Sequence, residues 1–227
     1  NPRQWDLSVE PNPWEIEVAK ALDEFVERTG VDLLFIPFQQ REVWAFSDDR
    51  PVLRRVREQM RHSSKVRLLE GALSPGEVSS ILGSCDLVLA MRFHSVVLSV
   101  KNRIPCVAIA YSLKVRTAME RAGLREFCLG LEDLKAQDIL TKLEECYSKR
   151  EEIRSQLQIV SQEMEKLALR NAELAVKLLD RQHNGRHWSP RFSELAVSLV
   201  ARQTRLLVER EKEIESLRAQ SEEKNRV

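Results

Sequence analysis

The apolar run Asp86-Leu87-Val88-Leu89-Ala90 leads directly into Met91-Arg92-Phe93-His94-Ser95, which brings together three side chains able to handle an anion or a proton. Arg92 offers a planar fork of N–H donors matched to a carboxylate or phosphate. His94 carries an imidazole that could pass a proton. The helix expected from about His94 to Lys101 adds unpaired backbone N–H groups and a positive dipole end at the same point. By position alone, the same residues would also suit a helix cap, a packed imidazole and a structural Arg–Asp pair.

For these groups to meet a ligand they must stand beyond the carboxyl end of a strand, where loops and helix starts converge in open α/β sheets. The preceding elements fit that requirement. Asn12, Pro13 and Glu15 mark a helix start, and Trp14, Val18, Leu22, Phe25 and Val26 give it an apolar face that ends at Gly30. Val31 to Phe38 then reads as a buried strand. Asp48-Asp49 ahead of Pro51 reads as a cap for a charged helix over 51–61. Strands follow at 66–69, 86–90 and 105–110, with a capped helix at Ser74-Pro75-Gly76-Glu77 and helices over about 94–101 and 114–122. This alternation predicts an α/β domain, Rossmann-like in class, with a parallel sheet and helices on both faces across residues 1–150.

After about Gly130 the sequence reads as helix alone. Ile153, Leu157, Val160, Met164, Leu167, Asn171, Leu174 and Leu178 alternate spacings of four and three, which predicts a long amphipathic helix over 151–180. It serves either as a coiled-coil strand, with Asn171 fixing register, or as a helix packed across the parent domain. Asn184-Gly185 and Pro190 break it in a linker over 181–190, and a charged helical tail over 191–227 reads as a spacer or a weak oligomerisation helix.

The bulk numbers restrict the function classes. With 36 basic and 35 acidic residues the formal charge is +1, so no global field favours nucleic acid or an anionic membrane. No stretch reaches the ~18 uninterrupted apolar residues of a membrane span. Cys85, Cys106, Cys128 and Cys146 are far apart and read as free thiols of a reducing, cytoplasmic setting. The chain opens on Asn1-Pro2-Arg3 without Met, as a fragment or processed form would. His183 and His187 would give a metal only two ligands, so no metal site is expected.

Met91-Arg92-Phe93-His94-Ser95 and Tyr111-Ser112-Leu113-Lys114 resemble the Met-Arg-Leu-His and Tyr-Asp-Pro-Lys stretches of the polysaccharide pyruvyl transferases. Arg3-Gln4-Trp5, Ile36-Pro37-Phe38-Gln39 and Ser74-Pro75-Gly76-Glu77 extend the likeness, which covers Arg3 to about Leu157. Phe93, Gln4 and Ser112-Leu113 depart from the family pattern. The resemblance implies the C-terminal domain of a GT-B-type transferase, with the active site in a cleft against an N-terminal domain and no activity for this half alone. It further implies transfer of the enolpyruvyl skeleton of phosphoenolpyruvate onto two sugar hydroxyls of a cell-envelope or exopolysaccharide precursor, giving a ketal and free phosphate without cofactor or obligatory metal. His94 would then move a proton, and Arg3 and Arg92 would clamp the donor. Phe93 and Ser95 would bind substrate beside Arg92, Lys114 would contact phosphate unless merely solvated, and Gln39 would bind sugar unless merely packed in its loop.

Two other readings stand beside this one. A glycosyltransferase or epimerase using a nucleotide sugar would share the architecture, but it calls for a Gly-rich loop and a ribose-binding carboxylate that the sequence lacks. A non-catalytic scaffold, with the helical tail as its working part, is the other.

Overall fold

In the computed structural model, residues 12–40 and 48–182 are described. The chain divides into two compact units, 1–162 and 163–227. Helix α1 (Pro13–Thr29) begins with Pro in its first turn, where a missing N–H costs nothing, and stops at Gly30. There φ is 73°, a left-handed value that glycine adopts freely, and the Gly30 N–H closes the helix on Val26 O at 2.8 Å. Asn12 precedes α1, but its side chain donates to Glu15 Oε1 at 2.8 Å rather than accepting a helix N–H.

Strand β1 (Leu33–Phe35) is followed by α2 (Arg50–Gln59), β2 (Val66–Leu68) and α3 (Pro75–Gly83). The capping box expected at Ser74 forms: Ser74 Oγ accepts the Glu77 N–H at 3.3 Å, and Glu77 Oε2 accepts the Ser74 N–H at 2.7 Å. Then come β3 (Val88–Ala90), α4 (Phe93–Lys101), β4 (Cys106–Ala110), α5 (Leu113–Arg121), β5 (Cys128–Gly130), α6 (Ala136–Ser148) and α7 (Arg150–Gln182). The strands are shorter than their apolar runs, and β5 was not predicted.

All strand pairs are parallel, as the alternation requires. The single sheet expected is instead two, β1-β2 and β3-β4-β5. Leu33 lies opposite Val66, Val88 opposite Cys106 and Ala108 opposite Cys128. No ladder joins β1 to β3 among the described residues, and an apolar cavity of about 490 Å³ is lined by residues of both strands.

β4 is buried along its whole length, which explains its unbroken small and apolar sequence. Helices pack in two groups, α1 with α2 and α6, and α4 with α3 and α5. Each fully buried side chain of Leu or Ile size, such as Leu82 or Ile109, stabilises by about 1.5–3 kcal/mol over its exposed form.

Charged groups fasten the helices to one another. Glu15 is fully buried and takes both Nε and Nη2 of Arg55 at 2.8 Å, joining α1 to α2. Asp23 of α1 accepts the backbone N–H groups of Arg61 and His62 at 2.8 and 2.9 Å. Glu17 accepts the Ala136 N–H at 2.8 Å and so caps α6 from α1. All four cysteines are free thiols, two of them buried. Burial pushes the Cys146 thiol up to about 12 and raises Cys106 further, so neither is a nucleophile at neutral pH.

On α7, Ile153 and Leu157 are buried as expected, whereas Val160 and Met164 are only half-buried. Leu167 and Leu174 are 60% and 47% exposed, so the buried face covers the start of the seam and not its length. The 181–190 linker lies outside the described residues after Gln182, as does the whole 191–227 tail. Among the described residues no helix is long and apolar enough to cross a membrane.

Candidate functional site

Parallel strands bring their carboxyl ends to one edge, and the loops after β1, β3 and β4 carry the residues singled out by the sequence. After buried Ala90, the chain leaves β3 through Arg92, whose extended backbone (φ −81°, ψ 141°) caps α4. The turn is locked from inside. Ser95 is 4% exposed, its N–H bonds Arg92 O at 3.0 Å and its hydroxyl donates to the same oxygen at 2.5 Å. Ser95 is thus a structural element of the turn, its hydroxyl committed to the backbone rather than offered to a substrate.

Arg92 does not meet solvent as an open fork. Its Nε donates to Asp49 Oδ1 at 3.0 Å, its Nη2 donates to the same oxygen, and the Tyr111 hydroxyl is a further hydrogen-bond partner. The other Asp49 oxygen accepts the Phe38 and Gln39 N–H groups, both at 3.0 Å, and the Asp49 N–H returns to Gln39 O at 2.9 Å. One carboxylate therefore binds the loop after β1 to the turn after β3, across the gap between the two sheets. Burial works against the Arg92 charge, but Asp49 and then Tyr111 outweigh it and hold the guanidinium above its ordinary pKa.

The cap expected at Asp48-Asp49 is accordingly divided. Asp48 Oδ1 accepts the Arg50 N–H at 2.9 Å, while the Asp49 side chain makes no cap bond and reaches away from α2. Asp49 and Tyr111 are the site residues that sequence reasoning missed. Asp49 stood out only as a cap, and Tyr111 only as part of a family-like motif.

His94 and Phe93 are exposed at the start of α4, their rings edge to face with centroids 5.4 Å apart. Lys114 is exposed in the first turn of the neighbouring α5, next to Leu113, which is 76% exposed. Within the first turn of α4, Ser95 and Val96 donate to Arg92 O, while the Phe93 and His94 N–H groups bond no other described residue. This edge can take an anion on a helix start flanked by an imidazole and an ammonium group. The Gln39 backbone is held by Asp49, and its side chain is half-buried. Arg3, His183 and His187 lie outside the described residues. Among the described residues no group of three His, Cys, Asp or Glu side chains is placed to hold a metal ion.

The family model for polysaccharide pyruvyl transferases matches residues 5–112, which take in β1 to β4 with Gln39, Asp49, Arg92, His94 and Tyr111. Amylovoran biosynthesis protein AmsJ of Erwinia amylovora is 26% identical over 151 residues, 66% of this chain and 36% of that protein. The chain thus spans well under half the length of this relative. No solved structure matches with comparable significance. Residues 5–112, with the Arg92-x-His94 turn at the carboxyl end of β3, are thus similar to the polysaccharide pyruvyl transferase family.

Proposed function

We propose that this chain supplies the donor-handling part of a transferase that moves the pyruvyl group of phosphoenolpyruvate onto two hydroxyls of a sugar in a cell-envelope or exopolysaccharide precursor. The observation that carries the reading is the exposed His94 beside the start of α4, within the region that matches the family. The donor bears a phosphate and a carboxylate, and the α4 start with Lys114 supports one of them. Arg92, engaged by Asp49, serves to fix the turn. The donor's methylene carbon gains a proton while the first sugar hydroxyl bonds to the neighbouring carbon and gives up its own; the second hydroxyl then bonds to the same carbon, the C–O bond to phosphate breaks, and the second hydroxyl's proton passes to the departing phosphate. His94 moves one of those protons.

In this reading the architecture is of the GT-B type, and a second Rossmann-like domain supplies the opposite wall of the cleft. The reaction takes place in the cytoplasm and uses no redox cofactor. Self-association through α7 accompanies it, an inference supported by the exposed Leu167 and Leu174 in a seam of alternating four and three spacing.

The test is phosphate release from phosphoenolpyruvate by the intact protein with a sugar acceptor. His94→Gln keeps hydrogen-bonding capacity but loses the titrating group, so kcat should fall by roughly two to four orders of magnitude. A folded His94→Gln protein with unchanged turnover would remove His94 from the mechanism. An intact protein that never binds phosphoenolpyruvate would favour a scaffold.

A further inference from the structure

Proton transfer needs an imidazole in one orientation, since a turn of the ring about its last side-chain torsion exchanges Nδ1 and Nε2. A functional histidine is commonly fixed by a hydrogen bond from one ring nitrogen to a carboxylate or backbone oxygen, which leaves the other to react. His94 is exposed at the start of α4 and makes no such bond to any described residue. What orients it must be a contact of another kind.

That contact comes from its neighbour in sequence. The Phe93 and His94 rings meet edge to face, with centroids 5.4 Å apart and planes at 74°. At this spacing the electron-rich face of one ring attracts the electron-poor edge of the other. Consecutive residues of a helix point about 100° apart and do not ordinarily face each other. They meet here because Phe93 and His94 open α4. Helix side chains lean toward the N-terminus, and at the first two positions no earlier turn stands in the way. Phe93 has little other work: it is 37% exposed and is not among the buried residues of α4, which are Ser95, Val96, Ser99 and Val100. It also stands where the family stretch has Leu, an aliphatic side chain with no flat face to set against an imidazole.

We propose that Phe93 is the positioning residue for His94, a phenyl ring that holds the imidazole in one orientation over the start of α4. Phe93 acts through His94 and not on the substrate. Its part in the reaction rests on the proposed function, whereas its hold on the imidazole does not.

Two measurements on the intact protein test this, the first without any activity. Proton NMR should show nuclear Overhauser contacts between the Phe93 and His94 rings, and in Phe93→Ala the remaining contacts of the His94 ring protons should weaken as the imidazole averages over orientations. In phosphate release from phosphoenolpyruvate, Phe93→Ala should lower kcat by roughly five- to tenfold, the bias in ring orientation that one aromatic contact can hold, with the donor KM unchanged. Phe93→Leu should fall between the two and serves in place of Phe93→Ala should that variant not fold, and Phe93→Tyr should recover most of the loss. In a His94→Gln background Phe93→Ala should cost nothing further, since no imidazole is left to orient. Rings that show no mutual contact in the folded protein would overturn the proposal, as would a comparable loss in the His94→Gln background or a loss confined to KM. If the protein shows no turnover at all, the proposed function fails, and the ring contacts with their response to Phe93→Ala decide the hold on His94 by themselves.

Discussion

Asp49 meets Arg92 across 43 positions of sequence, and that separation explains what could be read beforehand and what could not. A guanidinium fork and an imidazole announce their chemistry by type alone, so Arg92 and His94 were visible as candidates. The partner of Arg92 depends on which loops the topology brings together, and nothing local to Asp48-Asp49 distinguishes a helix cap from a bridge. The bridge has a measurable consequence. Without Asp49, the Arg92 charge and the Phe38 and Gln39 N–H groups lose an ionised acceptor, and Asp49→Ala should destabilise by about 2 kcal/mol, toward the lower end for charged hydrogen bonds because Arg92 is partly solvated. In a double-mutant cycle of Asp49→Ala and Arg92→Ala, urea unfolding should show a coupling of about 1 kcal/mol. Strict additivity would mean that the pair contributes nothing to holding the turn.

Elements with their own stop and start chemistry were legible: α1 between Pro13 and Gly30, α3 through the Ser74–Glu77 box, and β4 through its unbroken apolar run. β5 was not. It has three half-buried residues, no alternation and a single pairing partner, so its strand character comes from the open edge of β4 rather than from its own sequence. The contact between α1 and the turn after α2 was equally hidden, since Asp23 acts there through backbone groups that carry no sequence signature. Burial alone would raise the Asp23 pKa, but the His62 and Arg61 N–H groups and the His62 ring outweigh it and hold the carboxyl below its ordinary value. A depressed folded value means that the stabilisation is complete above the unfolded carboxylate pKa, near ~3.9, and is lost as pH falls through the lower folded value. Wild type should therefore exceed Asp23→Asn in urea midpoint at pH 6, and the gap should narrow by pH 3. A gap that holds constant would show that the Asp23 charge plays no part in this contact.

At the scale of the whole molecule, strand–helix alternation was enough to predict parallel pairing, because only crossovers of that kind join successive buried strands. It could not predict the number of sheets, because whether β1 and β3 share a ladder depends on their spacing in the fold and not on either strand's own sequence. The heptad spacing on α7 was likewise visible, but spacing cannot say which part of a seam the first unit covers, and burial ends near Leu157. Beyond it Met164, Leu167, Asn171 and Leu174 continue the pattern, with Leu167 and Leu174 largely open to water. Apolar seams of this kind gain most by pairing with a second helix, and Asn171 at a seam position would favour one register at some expense in affinity. Sedimentation velocity on the intact protein should accordingly show a dimer that grows with concentration. Leu167→Glu together with Leu174→Glu should shift it to monomer without changing the urea midpoint of the first unit, since neither side chain belongs to that core. Asn171→Leu should tighten association and loosen its stoichiometry. A protein that sediments as a monomer at every concentration, or a double variant that still dimerises, would rule out this seam as the self-association surface.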